Sequence, residues 1–257
     1  DSIIEHIVGK QSRGLSGILR EDTRREDVLL ELRNVSGVHK PRDLNLTVHA
    51  GEVVGIAGLL GSGRSAIARL LFGIDAKVSG EIMVSGKAVE LKGPADAIAQ
   101  GIALIPEDRL RQGVVLEHSV ADNISLSVFD RISKRGWISQ QKWSDLAAEK
   151  IKSLKVKTAS AAAAVRTLSG GNQQKVVLAK WLASDPRIVI FDEPTAGIDI
   201  GSKSEIIQLI RELARQGKAV VVISSELNEL LAACDRILVM SDGRLLRDMR
   251  RDAFEDP

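Results

Sequence analysis

Gly58–Ser65, which reads GLLGSGRS, constrains this chain more than any other stretch. Before it lies a short apolar run, residues 53–57 (VVGIA), with the look of a buried strand. After it, Ser65–Phe72 (SAIARLLF) carries apolar residues at helical spacing and stops at Gly73. Strand, glycine turn and helix make the frame of a phosphate-binding loop. The glycines let the backbone bend so that successive N–H groups converge on one anion, and the helix N-terminus adds partial positive charge. The candidate nucleotide-binding residues are therefore Gly58, Leu59, Leu60, Gly61, Ser62, Gly63, Arg64, Ser65 and Ala66. One position departs from the usual G-x-x-x-x-G-K-S/T pattern, because Arg64 stands where lysine is normal. A glycine-rich turn with no ligand has the same local signature, so the assignment needs support from elsewhere in the chain.

Bulk properties narrow the possibilities. The 257 residues suffice for one large domain or two small ones. An apolar fraction of 44% and a charged fraction of 27% describe a globular core with a soluble surface. The net charge of +2 gives no electrostatic case for a nucleic-acid partner. No apolar run approaches the about 18 residues of a membrane-spanning helix. A single cysteine, Cys234, excludes an intramolecular disulfide; set in an apolar helix, it reads as core packing in a reducing compartment. The chain starts at Asp1 rather than Met, which reads as a piece of a longer polypeptide.

Taken in order, residues 2–8 place Ile3, Ile4, Ile7 and Val8 on one helical face, and residues 9–27 read as a polar linker. Val28–Val35 and Asp43–His49 alternate as half-buried antiparallel strands do, with Leu44, Leu46 and Val48 facing one way. Gly80–Ser85 is a strand entering a hairpin turn at Gly86-Lys87, Pro94 opens a short helix, and Ile102–Ile105 is a short buried strand. From about residue 109 to 183 helical signals dominate: Ser119–Ser125, Gln140–Leu154 and Gly170–Ala183. Strands at Ile188–Phe191, Ala219–Ile223 and Arg236–Met240 then alternate with helices at Gly201–Arg215 and Glu226–Ala233, the pattern of parallel βαβ units. The expected fold class is α/β: a P-loop NTPase-like parallel sheet core, an antiparallel β subdomain, and a helical subdomain inserted at about 109–183.

Two further stretches carry chemistry. Residues 188–193 (IVIFDE) are a buried strand with two carboxylates where it ends, the place where open α/β sheets bind ligands. Asp192 can hold Mg²⁺ together with the Ser65 hydroxyl, and Glu193 can orient or deprotonate an attacking water. A plain strand end is the competing reading. Residues 168–174 (LSGGNQQ) set a hydroxyl and bare N–H groups at the start of a second long helix, a second anion site; an ordinary serine-capped helix is the alternative.

Together these motifs resemble the ATP-binding-cassette family over roughly residues 28–250. GLLGSGRS matches the first nucleotide motif, IVIFDEP the second, LSGGNQQ the signature, and Ala196–Asp199 the loop that follows the second motif. The resemblance implies ATP and Mg²⁺ as cofactors, and two cassettes joined head to tail with ATP between them. The signature residues Leu168, Ser169, Gly170, Gly171, Asn172 and Gln173 would then serve the partner's ATP. It implies roles for Glu107 in the coupling loop, Asp199 in the D-loop, Glu193 and Ser225 in catalysis, and Ser65 and Asp192 on the metal. PEDRLRQGVV (Pro106–Val115), PTAGIDIGSK (Pro194–Lys203) and ISSEL (Ile223–Leu227) resemble the second half of the double-cassette subunit of monosaccharide importers. On that resemblance residues 1–27 are the end of a first cassette with its linker, residues 28–250 the cassette, and 251–257 a tail. The implied partners are the N-terminal cassette of the same polypeptide or a second nucleotide-binding domain, membrane-spanning permease subunits, and indirectly a periplasmic or extracellular sugar-binding protein. No nucleic acid is implied, and the place is the cytoplasmic face of the membrane. A soluble cassette ATPase acting on nucleic acid or ribosomes and an inert nucleotide-binding regulatory module are the other two readings.

Three departures from the family bear on mechanism. Arg64 replaces the loop lysine; its guanidinium keeps a charge for phosphate, with a different reach. Ser225 stands where the family has a histidine, so it can hydrogen-bond but carry no positive charge. Glu107 stands in place of a glutamine, which would set a carboxylate toward phosphate and Asp192. No aromatic lies near Gly37–Asp43 to stack on adenine, leaving Val38 or His39. The expectation is a half-site that binds ATP and hydrolyses it poorly.

Overall fold

The computed structural model describes residues 21–134 and 137–250. The expected N-terminal helix at residues 2–8, most of the linker and the tail at 251–257 lie outside the described residues. The chain divides into two units, one ending at Leu104 and resuming at Arg187, the other spanning Ile105–Pro186.

The first unit holds two sheets. The smaller has strand order β2-β1-β4-β5, with β1 Val28–Gly37, β2 Leu44–His49, β4 Lys77–Val84 and β5 Lys87–Val89, all paired antiparallel. Leu44, Leu46 and Val48 are buried on one face of β2, as their alternation requires. The larger has the order β12-β11-β3-β10-β9-β6, with β3 Val53–Gly58, β6 Ile102–Ile105, β9 Ile188–Asp192, β10 Ala219–Ile223, β11 Arg236–Ser241 and β12 Arg244–Arg250. The pairs β11–β3, β3–β10 and β10–β9 are parallel, and β12 runs antiparallel along the edge. β9 and β10 are buried along their whole length, which is why they read as continuous apolar runs. Helices α1 Arg64–Leu71, α2 Pro94–Ala99, α7 Ile200–Arg215 and α8 Leu227–Ala233 belong to the same unit.

Register puts the site together. Met240 pairs with Gly58, Ile56 with Ile223, and Ile223 with Asp192. Four neighbouring parallel strands therefore end in line, and the residues after β11, β3, β10 and β9 emerge on one edge. Close approach at Gly55 tightens this core: a Cβ there would lie 2.8 Å from Cys234 Sγ and 3.2 Å from Leu230 Cδ2. Cys234 is fully buried, and it caps α8 in extended backbone rather than lying within the helix, which ends at Ala233.

The second unit is mainly helical: α3 Val120–Ser125, α4 Phe129–Ile132, α5 Gln140–Ser153 and α6 Gly170–Leu182, with a two-stranded hairpin of β7 Ser133–Lys134 and β8 Trp137–Ile138. Ser119 and Asp122 form a capping box at the start of α3. A wide helical turn at Arg109–Gly113 follows its cap, Asp108. That turn is pinned to its own unit by Lys180, whose buried Nζ donates to the Gly113 carbonyl at 2.5 Å. Asn123, also buried, exchanges hydrogen bonds with the Val115 backbone. Trp181 and Trp143 are half-buried, and Trp137 is exposed.

Candidate active site

The loop after β3 climbs through Leu59 and Leu60, which are 85% and 99% exposed, and re-enters the protein at buried Ser62. It then passes Gly63 in left-handed backbone, φ 101°, to start α1 with no side-chain cap. Gly58 allows a close approach, because a Cβ there would lie 2.5 Å from the Met240 carbonyl oxygen and 2.6 Å from Ser62 Oγ. No side chain caps the amides of the first helical turn, as suits an anion site.

Ser65, one residue into α1, donates its hydroxyl to Asp192 Oδ1 at 3.1 Å. The start of α1 and the end of β9 meet in that bond. One carboxylate and one hydroxyl are hard oxygen donors, few enough to leave room for phosphate oxygens and water, and they fit Mg²⁺. Among the described residues no cluster of three or more His, Cys, Asp or Glu side chains forms an all-protein metal cage.

Glu193 follows in left-handed backbone, φ 45°, an unusual conformation for a non-glycine residue and one that recurs at functional sites. Its amide donates to the Ile223 carbonyl at 2.9 Å, which ties the end of β9 to the end of β10. Three donors engage the half-buried carboxylate. Ser225 gives Oε2 its backbone N–H at 3.0 Å and its hydroxyl at 3.1 Å, and Arg64 Nη2 lies 3.4 Å from Oε1. The Arg64 guanidinium is itself buried and donates to the Ser224 carbonyl at 2.8 Å. A planar fork with several donors can span a carbonyl and a carboxylate at once, and Arg64 does so here.

Behind Ser224 sits a carboxylate that the motif reading does not single out. Buried Glu229 accepts from the Ser224 hydroxyl at 2.8 Å, from Lys203 Nζ at 3.1 Å and from the Thr195 hydroxyl. It holds the residues after β9 and after β10 in one hydrogen-bonded group. Its spacing from Ser225, with one helical turn between, is the only sequence signal that could have drawn attention to it.

The remaining candidates fall as follows. Asp199 caps α7, accepting from Ser202 N at 3.0 Å and Ser202 Oγ at 2.8 Å, and those bonds hold its carboxyl below the usual carboxylate range. Val38 and His39 are exposed. Ala66 is half-buried in α1. The second unit carries Glu107, which is exposed, and the stretch 168–173. There Ser169 precedes α6 without capping it: its hydroxyl accepts from Asn172 Nδ2 at 2.9 Å, so the first amides of α6 receive no side-chain cap. Asn172 Oδ1 in turn accepts from Lys157 N at 2.7 Å, and Gln173 donates to the Val165 carbonyl at 3.4 Å. Leu168 and Gly170 are half-buried, and Gly171 is buried.

The profile of the ABC transporter family matches residues 41–196. The ribose import ATP-binding protein RbsA of Halalkalibacterium halodurans is 42% identical over 257 residues, 100% of this chain and 51% of that protein. The ribose/galactose/methyl galactoside import ATP-binding protein 3 of Burkholderia ambifaria is 46% identical over 253 residues, 97% of this chain and 49% of its own length. The chain spans about half the length of the curated relatives it matches. A dimeric ATP-binding cassette solved in a post-hydrolysis state with ADP and Pi superposes with a TM-score of 0.75 at 25% identity, over 87% of this chain and 99% of that one. A nucleotide-free cassette from an ABC transporter gives a TM-score of 0.75 at 23% identity, over 90% and 96%.

Proposed function

Because the chain belongs to the ABC transporter family, we propose that it is an ATP-binding cassette whose own ATP site is restrained, energising import of a monosaccharide such as ribose or galactose. The observation that carries the reading is the state of Glu193, the residue in the water-activating position, engaged by Arg64 and Ser225 together.

The loop Gly58–Ala66 would hold the triphosphate on its amides. Ser65 and Asp192 would hold Mg²⁺, which when bound supplies charge for the β- and γ-phosphates. Glu193 has the chemistry to take a proton from water, yet a carboxylate with both oxygens committed to donors is a poor acceptor. Ser225 orients that carboxylate and brings no charge of its own. Nucleotide would thus be bound here and turned over slowly. Ser169, Gly170 and Gly171, with the uncapped amides of α6, would serve the ATP of a partner cassette, with the family's head-to-tail dimer as the frame. Partners on this reading are a first cassette in the same polypeptide, permease subunits docking at Pro106–Val115, and a sugar-binding protein reached only through them. The chain would work at the cytoplasmic face of the membrane; among the described residues no helix is long and apolar enough to cross one.

The test compares two changes in the full-length double-cassette protein. Ser169→Arg should abolish ATP turnover, because it blocks the partner's site, while Glu193→Gln should lower it only modestly. The reverse ranking would make this half the working site and overturn the proposal. A loss of about 100-fold corresponds to about 2.7 kcal/mol of barrier, so the two outcomes separate cleanly.

A further inference from the structure

Arg64 is engaged by the Ser224 carbonyl and Glu193, and a lysine from elsewhere in the chain lies against the loop. Lys40, in the connection between β1 and β2, donates from Nζ to the carbonyl of Gly61 at 2.5 Å. Its ammonium also meets Asp242 Oδ1 at 3.1 Å. The aliphatic stem runs through a slot made by two glycines. A Cβ at Gly63 would lie 3.1 Å from Lys40 Cβ and Cδ, and a Cβ at Gly243 would lie 3.0 Å from Lys40 Cγ. Backbone bonds brace the slot: Arg42 N donates to the Gly243 carbonyl and Gly243 N to the Ser62 carbonyl, both at 2.7 Å. Three separate segments thus place one ammonium on the turn that leads into α1.

We propose that Lys40, from the connection between β1 and β2, is a supporting cation of this phosphate loop, adding positive charge from the carbonyl side of the turn. The proposal rests on the nucleotide reading of Gly58–Ala66. A compact ammonium at Gly61 adds positive potential where the triphosphate would sit, and its grip on the carbonyl keeps that oxygen turned from the phosphates. Asp242 neutralises part of the charge, and Arg42 offsets Asp242 at 3.3 Å. The binding contributed should scale with the charge of the ligand and be nearly absent for an uncharged nucleoside.

Calorimetric titration of the 257-residue chain with Mg-ATP and with adenosine tests this. Lys40→Met should weaken Mg-ATP by about tenfold, through loss of a nearby positive charge, and leave adenosine within about twofold. Lys40→Arg should recover most of the loss. Asp242→Asn should bind Mg-ATP as tightly as the parent or more so. Equal losses for both ligands in Lys40→Met would mean lost packing, and unchanged Mg-ATP binding would mean no role; either overturns the proposal. Where Lys40→Met fails to fold, Asp242→Asn decides, since weaker Mg-ATP binding in it contradicts a charge-based role. A parent chain that binds no Mg-ATP would refute the nucleotide reading itself, a result distinct from all of these.

Discussion

Replacing Arg64 by lysine should release the restrained half-site. In the structure the guanidinium spans the buried Ser224 carbonyl at 2.8 Å and the half-buried Glu193 Oε1 at 3.4 Å. Opposite charges at 3.4 Å attract by about 5 kcal/mol at an effective dielectric constant of about 20. Hydration regained on separation returns most of that, and a hydrogen bond to a charged group keeps about 1.5–3 kcal/mol. Glu193 must give up that amount before its carboxylate can serve a water. A lysine is shorter and lacks the planar fork, so Arg64→Lys loosens the hold on the Glu193 oxygen while keeping the positive charge. If the whole of that energy lies in the barrier, turnover at this half-site rises by about 10- to 150-fold. Phosphate release at saturating Mg-ATP measures it, in full-length protein whose other cassette has been silenced. An unchanged or lower kcat in Arg64→Lys would show that the Arg64–Glu193 pair does not hold the reaction back.

Two further expectations concern stability. Gly55→Ala would set a methyl 2.8 Å from Cys234 Sγ, and overpacking of this kind should cost about 1–3 kcal/mol in urea unfolding; adding Cys234→Ala should return part of it if the clash is the cause. Burial of Lys180 lowers its pKa from 10.5 to about 8, so below about pH 8 the fold carries a lysine charge that it holds less well than the unfolded chain does. Unfolding free energy should therefore rise between about pH 8 and about 10.5, by roughly 3 kcal/mol at most, and Lys180→Met should remove that rise.

What was legible in the chain, and what was not, divides along one physical line. Motifs whose geometry is local declared themselves. The apolar runs at β3, β9 and β10 announce strands buried on both faces, and Pro94 and Ser119 mark helix starts. β12 did not declare itself, because an edge strand with residues such as Arg244, Arg247, Asp248 and Arg250 has the composition of a polar tail. Nor did the turn at Arg109–Gly113, whose cap and buried Lys180 anchor come from distant contacts. The site shows the same split. Ser65 and Asp192 were readable as a pair because each ends a recognisable strand motif. Arg64 was readable as a departure, but its partners were not: they depend on Ser224 lying at the end of β10, the strand between β3 and β9, which follows from sheet order. Lys40 reads as one basic residue in a loop. Only the adjacency of β11 and β3 brings Gly243 and Gly63 to either side of its stem. Sequence motifs therefore identify which chemical groups a loop carries, while strand order determines which of them meet. On the proposed reading the substituted arginine restrains Glu193, while Lys40, from the connection between β1 and β2, supplies charge to the loop.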